Sequence, residues 1–482
     1  MQDEETDVII VGGGFSGLVA ANRMAQLGLT PLVLEKGTDE LYFCNGRLTG
    51  GAMHACYRDV NTAPVELEKA IGMTNPLAVG SPLSSAVANN AKRVVDFLMS
   101  EGLRFIKAGP QEYQNRVLAP PRPNYPGLHW QGRGGDVMIR TLEANLVKRG
   151  GTLRRGARAH DIRHTATGFE LTVENVDPLK AGHPASTEQL ACRSVIIADG
   201  GFQSDPGFLR QFITDHPEKI LQRGGGTSMG DGVRLAQSLG ADLVDMGNFY
   251  GHPLCLDAFE NPKLWPYPFL DGLVTSGIVV AADAQRFFNE GDGGVYAANM
   301  IARHEDPLSA IVIFDKNIWE GPGRHGAIPP NPHVPAVGGH VEQANSIAEL
   351  APRVGLDPSV LSRVVEQYNA ALQAGELASL SPARTCVKYP AMPIVQAPFY
   401  AIRLCAGITY TMGGIAIDAR GRVLKTDGAE VSGLYAIGTA AGGIEGGPKT
   451  GYVGGLIISG VTALLAAEDV ASRIRDHAVV TV

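Results

Sequence analysis

The segment Asp7–Gly28, DVIIVGGGFSGLVAANRMAQLG, decides how the chain folds. Asp7 to Val11 is short, β-branched and apolar, as a strand buried on both faces requires. Gly12, Gly14 and Gly17 then give G-x-G-x-x-G ahead of a helical pattern. In that spacing one glycine makes a tight turn and one lets backbone approach a pyrophosphate. The third allows close packing of helix on strand, with the phosphate at the helix N-terminus. The next apolar run, Pro31 to Leu34, ends in Glu35, which is placed to accept a hydrogen bond from a ribose hydroxyl. Strand, turn, helix and acid together predict a dinucleotide-binding Rossmann unit, and leave FAD and NAD both open.

Further out, VIIADGGF (195–202) and GLYAIGTAAGG (433–443) repeat the pattern of a buried strand running into glycines. Glycine is in excess at 60 of 482 residues, without a collagen-like period, so backbone is expected to pass close to something in several places. With 44% apolar and 19% charged residues the chain is long enough for two or three domains and a large core. Lys plus Arg number 41 against 49 Asp plus Glu, and no stretch concentrates the bases, which excludes nucleic acid as a partner. Six cysteines without C-x-x-C spacing fit neither a zinc site nor a disulfide framework; no metal and a reducing, cytoplasmic setting are expected. The acidic start MQDEET is unlike a signal peptide. The charge-free run at 450–467, TGYVGGLIISGVTALLAA, is expected to be a buried helix rather than a membrane span.

In order along the chain, GGGFSGLVAANRMAQLG with LEK, VIIADGGF, MGDGVRLAQSLGADLVDM with GHP, RFFNE, and TMGGIAID with GLYAIG resemble one family. It is the FAD-dependent oxidoreductase family of the fumarate reductase and succinate dehydrogenase flavoproteins, which also holds urocanate reductases, tricarballylate dehydrogenase and 3-ketosteroid dehydrogenases. The resemblance implies an α/β fold: a glutathione-reductase-like, Rossmann FAD-binding domain in two parts (1–240 and 395–482), with an α+β capping domain (241–394) inserted. It further implies that Gly12, Gly14, Phe15, Ser16 and Gly17 hold the pyrophosphate and that Glu35 and Lys36 hold the adenosine end. Within NGRLTGG (45–51), Arg47, Thr49, Gly50 and Gly51 lie along the flavin. Ala159, Asp199, Gly200, Asp231, Gly438 and the helix start Gly454, Gly455, Leu456 and Ile457 complete the cofactor set. Membrane-bound members attach flavin through a histidine in the NGRLTGG segment; here His54 is the nearest, so non-covalent FAD is expected. Thr439 stands where the family has an acid.

The resemblance loosens at the reacting end. Fumarate-reducing members follow RFxNE with an arginine that delivers a proton, and Gly294 aligns there; Arg286 of RFFNE itself is expected to hold the cap. Tyr410 replaces a histidine, and Lys449 replaces a substrate-clamping arginine whose planar fork a lysine does not reproduce. His252, in GHP, retains the family's substrate-side histidine, and Tyr296 and Tyr452 add phenols. A phenol needs a nearby cation to serve as a base, and Lys449 is one source. The implied function is a desaturase that introduces C=C beside the carbonyl of a ketone or keto/monocarboxylic acid. A tyrosine removes the proton, and an external acceptor or donor exchanges electrons. The reverse enoate reduction and an amine or alcohol oxidase are the alternatives.

Overall fold

The computed structural model describes residues 6–176, 184–324 and 333–480, apart from the side chains of 184–185 and 477–480. The opening run forms the strand Thr6–Val11, in which Val8, Ile9 and Ile10 are fully buried. It pairs in parallel with Leu32–Glu35 on one side and Pro184–Ile197 on the other. The sheet continues to Thr152–Arg155 at one edge, and through Glu430–Ala436 to Arg422–Leu424 at the other. The last two strands, from the far end of the chain, complete a layer begun at its start, as the resemblance implies.

Helix Phe15–Gln26 follows the glycine turn and packs against the helix Gly455–Val480. That final helix contains the charge-free run and is apolar and long enough to cross a membrane. Most of its apolar window is buried, against Phe15–Gln26 and Pro82–Ser100.

A second sheet is built around the long strand Phe399–Thr411. Its first half, Phe399–Arg403, pairs with Ile311–Asp315; its second half, Leu404–Thr411, pairs with Phe249–Cys255. Ile220–Gln222 also joins it, in parallel. Two of these strands fall outside 241–394, so the second layer is wider than the expected insertion. The stretch 397–404 returns the chain to this sheet and not to the dinucleotide sheet. One 13-residue strand is long enough to serve two sets of partners. Arg403, the one charged and exposed residue of the strand, stands where one set gives way to the other.

The RFFNE segment braces this layer. Glu290, fully buried, accepts from Arg286 Nε (2.9 Å) and Nη2 (2.6 Å) and from Arg384 Nη1 (3.2 Å). Two guanidiniums on one carboxylate satisfy a charge that would be costly alone, so Arg286 is a structural residue, as expected.

Candidate active site

The glycine turn is set by contact. A Cβ on Gly12 would stand 2.6 Å from Ala198 O, and one on Gly17 would stand 2.0 Å from Gly12 O. Gly14, by contrast, is crowded by nothing: a Cβ there would meet only Cys44 Cβ, at 4.0 Å. The turn opens into a cavity of about 540 Å³, lined here by Gly12, Gly14, Phe15 and Ser16. Gly14 offers no side-chain cap to helix Phe15–Gln26, so the first-turn N–H groups are left for a ligand. Thr49, Gly50 and Gly51 line the middle of the same cavity, and Gly455 and Leu456 bring a second helix N-terminus to it.

At the far end Glu35 accepts from Gly13 N (2.9 Å) through Oε2 and from Gly37 N (2.7 Å) through Oε1. Lys36 Nζ (3.1 Å) and Arg158 Nη2 (2.6 Å) both engage Asp231. Burial pushes the Asp231 carboxyl up, but Arg158 and Lys36 outweigh it and hold it below the ordinary value. Ala159, Asp199 and Gly200 line this end as well.

Five of the expected cofactor residues do not line the cavity. Arg47 is fully buried and turned away, because its guanidinium finds Asp136 (2.5 Å) and the face of Tyr42 (4.9 Å). Gly17, Gly438 and Gly454 stand behind the wall; a Cβ on Gly438 would meet Ser16 Oγ at 2.5 Å, and one on Gly454 would meet His54 O at 2.3 Å. Ile457 faces the core. These four serve close packing.

The other end is aromatic. Tyr250 and His252, two residues apart on Phe249–Cys255, share a face and line the cavity. His252 Nδ1 lies 2.9 Å from Asp271 Oδ1, and Nε2 lies 3.1 Å from the Tyr250 hydroxyl. An ionised Asp271 takes the Nδ1–H, which leaves Nε2 to accept from Tyr250. Burial holds the His252 imidazole below its ordinary pKa, Asp271 opposing and Arg223 adding to the effect. Tyr452 stacks on Tyr250 (4.3 Å between ring centroids). Tyr410 donates to Glu445 Oε2 (2.7 Å), whose Oε1 accepts from Val453 N and Gly454 N, both at 2.8 Å.

Asp271 also explains the missing arginine. A Cβ on Gly294 would stand 1.7 Å from Asp271 Oδ1 and 2.1 Å from its Cγ. The carboxylate occupies the space through which an arginine side chain would leave the backbone.

Two expected catalytic residues lie elsewhere. Lys449 is 59% exposed and paired with Asp292 (2.8 Å), and neither it nor Tyr296 lines the cavity. Burial, aided by Asp292, pushes the Tyr296 phenol up despite Lys449. A flexible ammonium prefers a carboxylate to a half-buried phenol, so this pairing does not make a base. The phenol flanked by cations is instead Tyr267, between Arg122 (3.5 Å from the ring centroid) and Arg223 (4.7 Å). Burial alone would raise its pKa, but Arg223 and Arg122 bring it below the ordinary value.

A family model described as FAD binding domain matches residues 7–451. The chain belongs to the FAD binding domain family. It is an FAD-dependent oxidoreductase, related to NADH:fumarate oxidoreductase of Klebsiella pneumoniae (25% identical over 97% of this chain). This chain spans 48% of that relative's length. It is also 26% identical to 4-oxocyclohexanecarboxylate 2-dehydrogenase of Sinomonas cyclohexanicum, over 95% of this chain and 93% of that protein. Its fold is that of the 3-ketosteroid delta1-dehydrogenase from Sterolibacterium denitrificans, with a TM-score of 0.70 at 19% identity, covering 97% and 100% of the two chains.

The residues suit FAD. A Cβ-free turn and two helix N-termini face one cavity, where they favour a pyrophosphate at one place and electron-rich carbonyl oxygens at another. His54, also on the wall, is neutral, because burial pushes its pKa down to about 4.

Asp199 gives the cofactor end a pH signature. Its Oδ2 accepts from Gly232 N (2.8 Å), and its buried Oδ1 has no hydrogen-bond partner. Burial pushes the carboxyl up to about 7; Lys36 pulls it down and Asp231 adds to the rise. In the unfolded chain it titrates near ~4. The folded state is therefore favoured most at low pH, and this contribution is lost as pH rises from about 4 to about 7. Asp199→Asn keeps the acceptor for Gly232 and removes the charge. Its melting temperature relative to the parent should be highest above about pH 7 and fall toward parity near pH 4. An offset independent of pH would show that Asp199 does not titrate in this range.

Proposed function

We propose that this protein is an FAD-dependent desaturase that forms C=C beside the carbonyl of an oxo compound carrying at most one carboxylate. The observation that carries the reading is the chain Tyr250–His252–Asp271, with Asp271 filling the space of the reductive arginine at Gly294. FAD, when bound, supplies a hydride acceptor for the carbon next to the one that loses its proton.

The chain's own residues handle the proton. Tyr250 Oη receives it from the carbon beside the carbonyl as its own proton passes to His252 Nε2. Asp271 holds Nδ1–H and stabilises the imidazolium that forms. Tyr452, stacked on Tyr250 and lining the same space, offers its phenol to the developing enolate oxygen. Tyr410 is committed to Glu445, so it shapes the wall and does not transfer the proton. The relative that acts as a 4-oxocyclohexanecarboxylate 2-dehydrogenase, matched over nearly its whole length, supports this substrate class. The same proton chain can run in reverse, so enoate reduction is the second reading. The six cysteines, spread along the chain without C-x-x-C spacing, are in keeping with a reducing cytoplasm.

The test is anaerobic absorbance of the FAD-loaded protein. Saturated cyclic oxo acids are expected to bleach the oxidised flavin. Colour regained only when an unsaturated acid meets chemically reduced protein would overturn the desaturase reading in favour of the reductase.

A further inference from the structure

The cavity holds a guanidinium that has no carboxylate within ion-pair distance among the described residues. The buried guanidiniums elsewhere are matched: Arg47 sits on Asp136, and Arg286 and Arg384 share Glu290. Arg223 lines the cavity at 7% exposure, and among the described residues it forms no ion pair. It donates from Nε to Pro266 O (3.1 Å) and from Nη1 to Thr409 Oγ1 (2.8 Å), both neutral acceptors. Arg122, across the Tyr267 ring, donates from Nη2 to Gly127 O (2.9 Å), and its buried Nε has no partner. Two like charges flanking one ring are costly without an anion, so the complement is expected from a ligand.

The position of Arg223 says which ligand. Its guanidinium lies 5.4 Å from the Phe269 ring centroid, and that ring stacks on His252 at 3.9 Å. The cation thus adjoins the proton-transfer residues. We infer that Arg223, reinforced by Arg122, seats the single carboxylate of the substrate, which makes the substrate an oxo-monocarboxylate. This rests on the desaturase reading for the carbonyl and stands on the unmatched cation for the carboxylate. A planar guanidinium takes one carboxylate in its fork. A second carboxylate would need a free cation apart from this seat; Lys36 and Arg158, also in the lining, are held by Asp231, and Lys449 is spent on Asp292 outside the cavity.

The test reads binding, not turnover. Oxidised FAD-loaded protein is titrated with cyclohexanecarboxylate, its carboxamide, succinate and cyclohexanone, and the flavin difference spectrum gives each affinity. The parent should bind the carboxylate at least ~30-fold more tightly than the isosteric carboxamide, and more tightly than succinate. Arg223→Gln should reduce the ratio of carboxylate to cyclohexanone affinity by about the same factor, and Arg223→Lys should restore part of it. Equal affinity for acid and amide in the parent, or an unmoved ratio in Arg223→Gln, overturns the inference. The parent comparison decides even if the variant fails to fold. Carboxylate dependence without bleaching by any oxo compound would leave the seat standing and remove the desaturase. Bleaching by neutral ketones with no carboxylate dependence would do the opposite.

Discussion

Asparagine at position 271 is expected to slow substrate-driven flavin bleaching by on the order of 10³-fold while FAD content stays at the parental level. Asp271 fixes the proton of His252 on Nδ1, and so keeps Nε2 free to accept from Tyr250. An asparagine amide that turns its NH₂ toward Nδ1 imposes the other tautomer, and Nε2 then carries a hydrogen and cannot take the Tyr250 proton. Turned the other way, it accepts Nδ1–H but lacks the charge that stabilises an imidazolium. The pH profile separates this role from a merely structural one. His252 must be neutral to accept, so the parental rate should fall on the acid side, with a midpoint below the ordinary histidine value because burial lowers it. Asp271 opposes that lowering, so the midpoint in Asp271→Asn should move further down. Tyr250→Phe should lose a comparable factor, with no phenol left to relay the proton. Stopped-flow absorbance on loaded protein measures all three, and near-parental bleaching in Asp271→Asn would remove the proton chain.

What could be read from the sequence depended on how local each feature is. Gly12, Gly14 and Gly17 are legible because a strand, a turn and a helix in consecutive residues impose their spacing, and the distant strand Glu430–Ala436 is legible by the same signature. His252 came from its motif, and Tyr250 was within reach. In FYGHP the two residues alternate to one face of a strand, but an aromatic on a strand reads equally well as core. Asp271, Arg122 and Arg223 carry no local signal. Arg223 and Asp271 reach the cavity because the second sheet and its flanking segments bring distant parts of the chain together, and Arg122 joins them through the far face of Tyr267. Lys449 and Arg47 show the converse. The resemblance put each at a site position, yet each side chain is paired with a carboxylate elsewhere, Asp292 outside the cavity and Asp136 in the core. Motif position fixes a backbone, and the competition among charges decides where a long cation ends.

Restoring the family's arginine should fail alone and succeed only with a second change. In Gly294→Arg the new Cβ would stand 1.7 Å from Asp271 Oδ1, so the carboxylate must leave His252 or the helix Gly294–Arg303 must shift. Overpacking of this kind costs about 1–3 kcal/mol, which melting should register, and bleaching by a saturated oxo acid should drop as far as in Asp271→Asn. Asp271→Ala would not relieve the clash, because the Asp271 Cβ itself lies 2.7 Å from the Gly294 Cβ position. Only Asp271→Gly clears the space. The double variant Asp271→Gly, Gly294→Arg should therefore regain melting temperature and FAD content over the single arginine variant. It should remain a poor desaturase, since His252 has lost its anion. With a guanidinium where fumarate-reducing members keep theirs, its reduced form should regain colour faster with an unsaturated acid than the reduced Asp271→Gly protein does. If Gly294→Arg alone melted and turned over like the parent, the glycine would owe nothing to Asp271, and the exchange of one proton path for another would lose its structural basis.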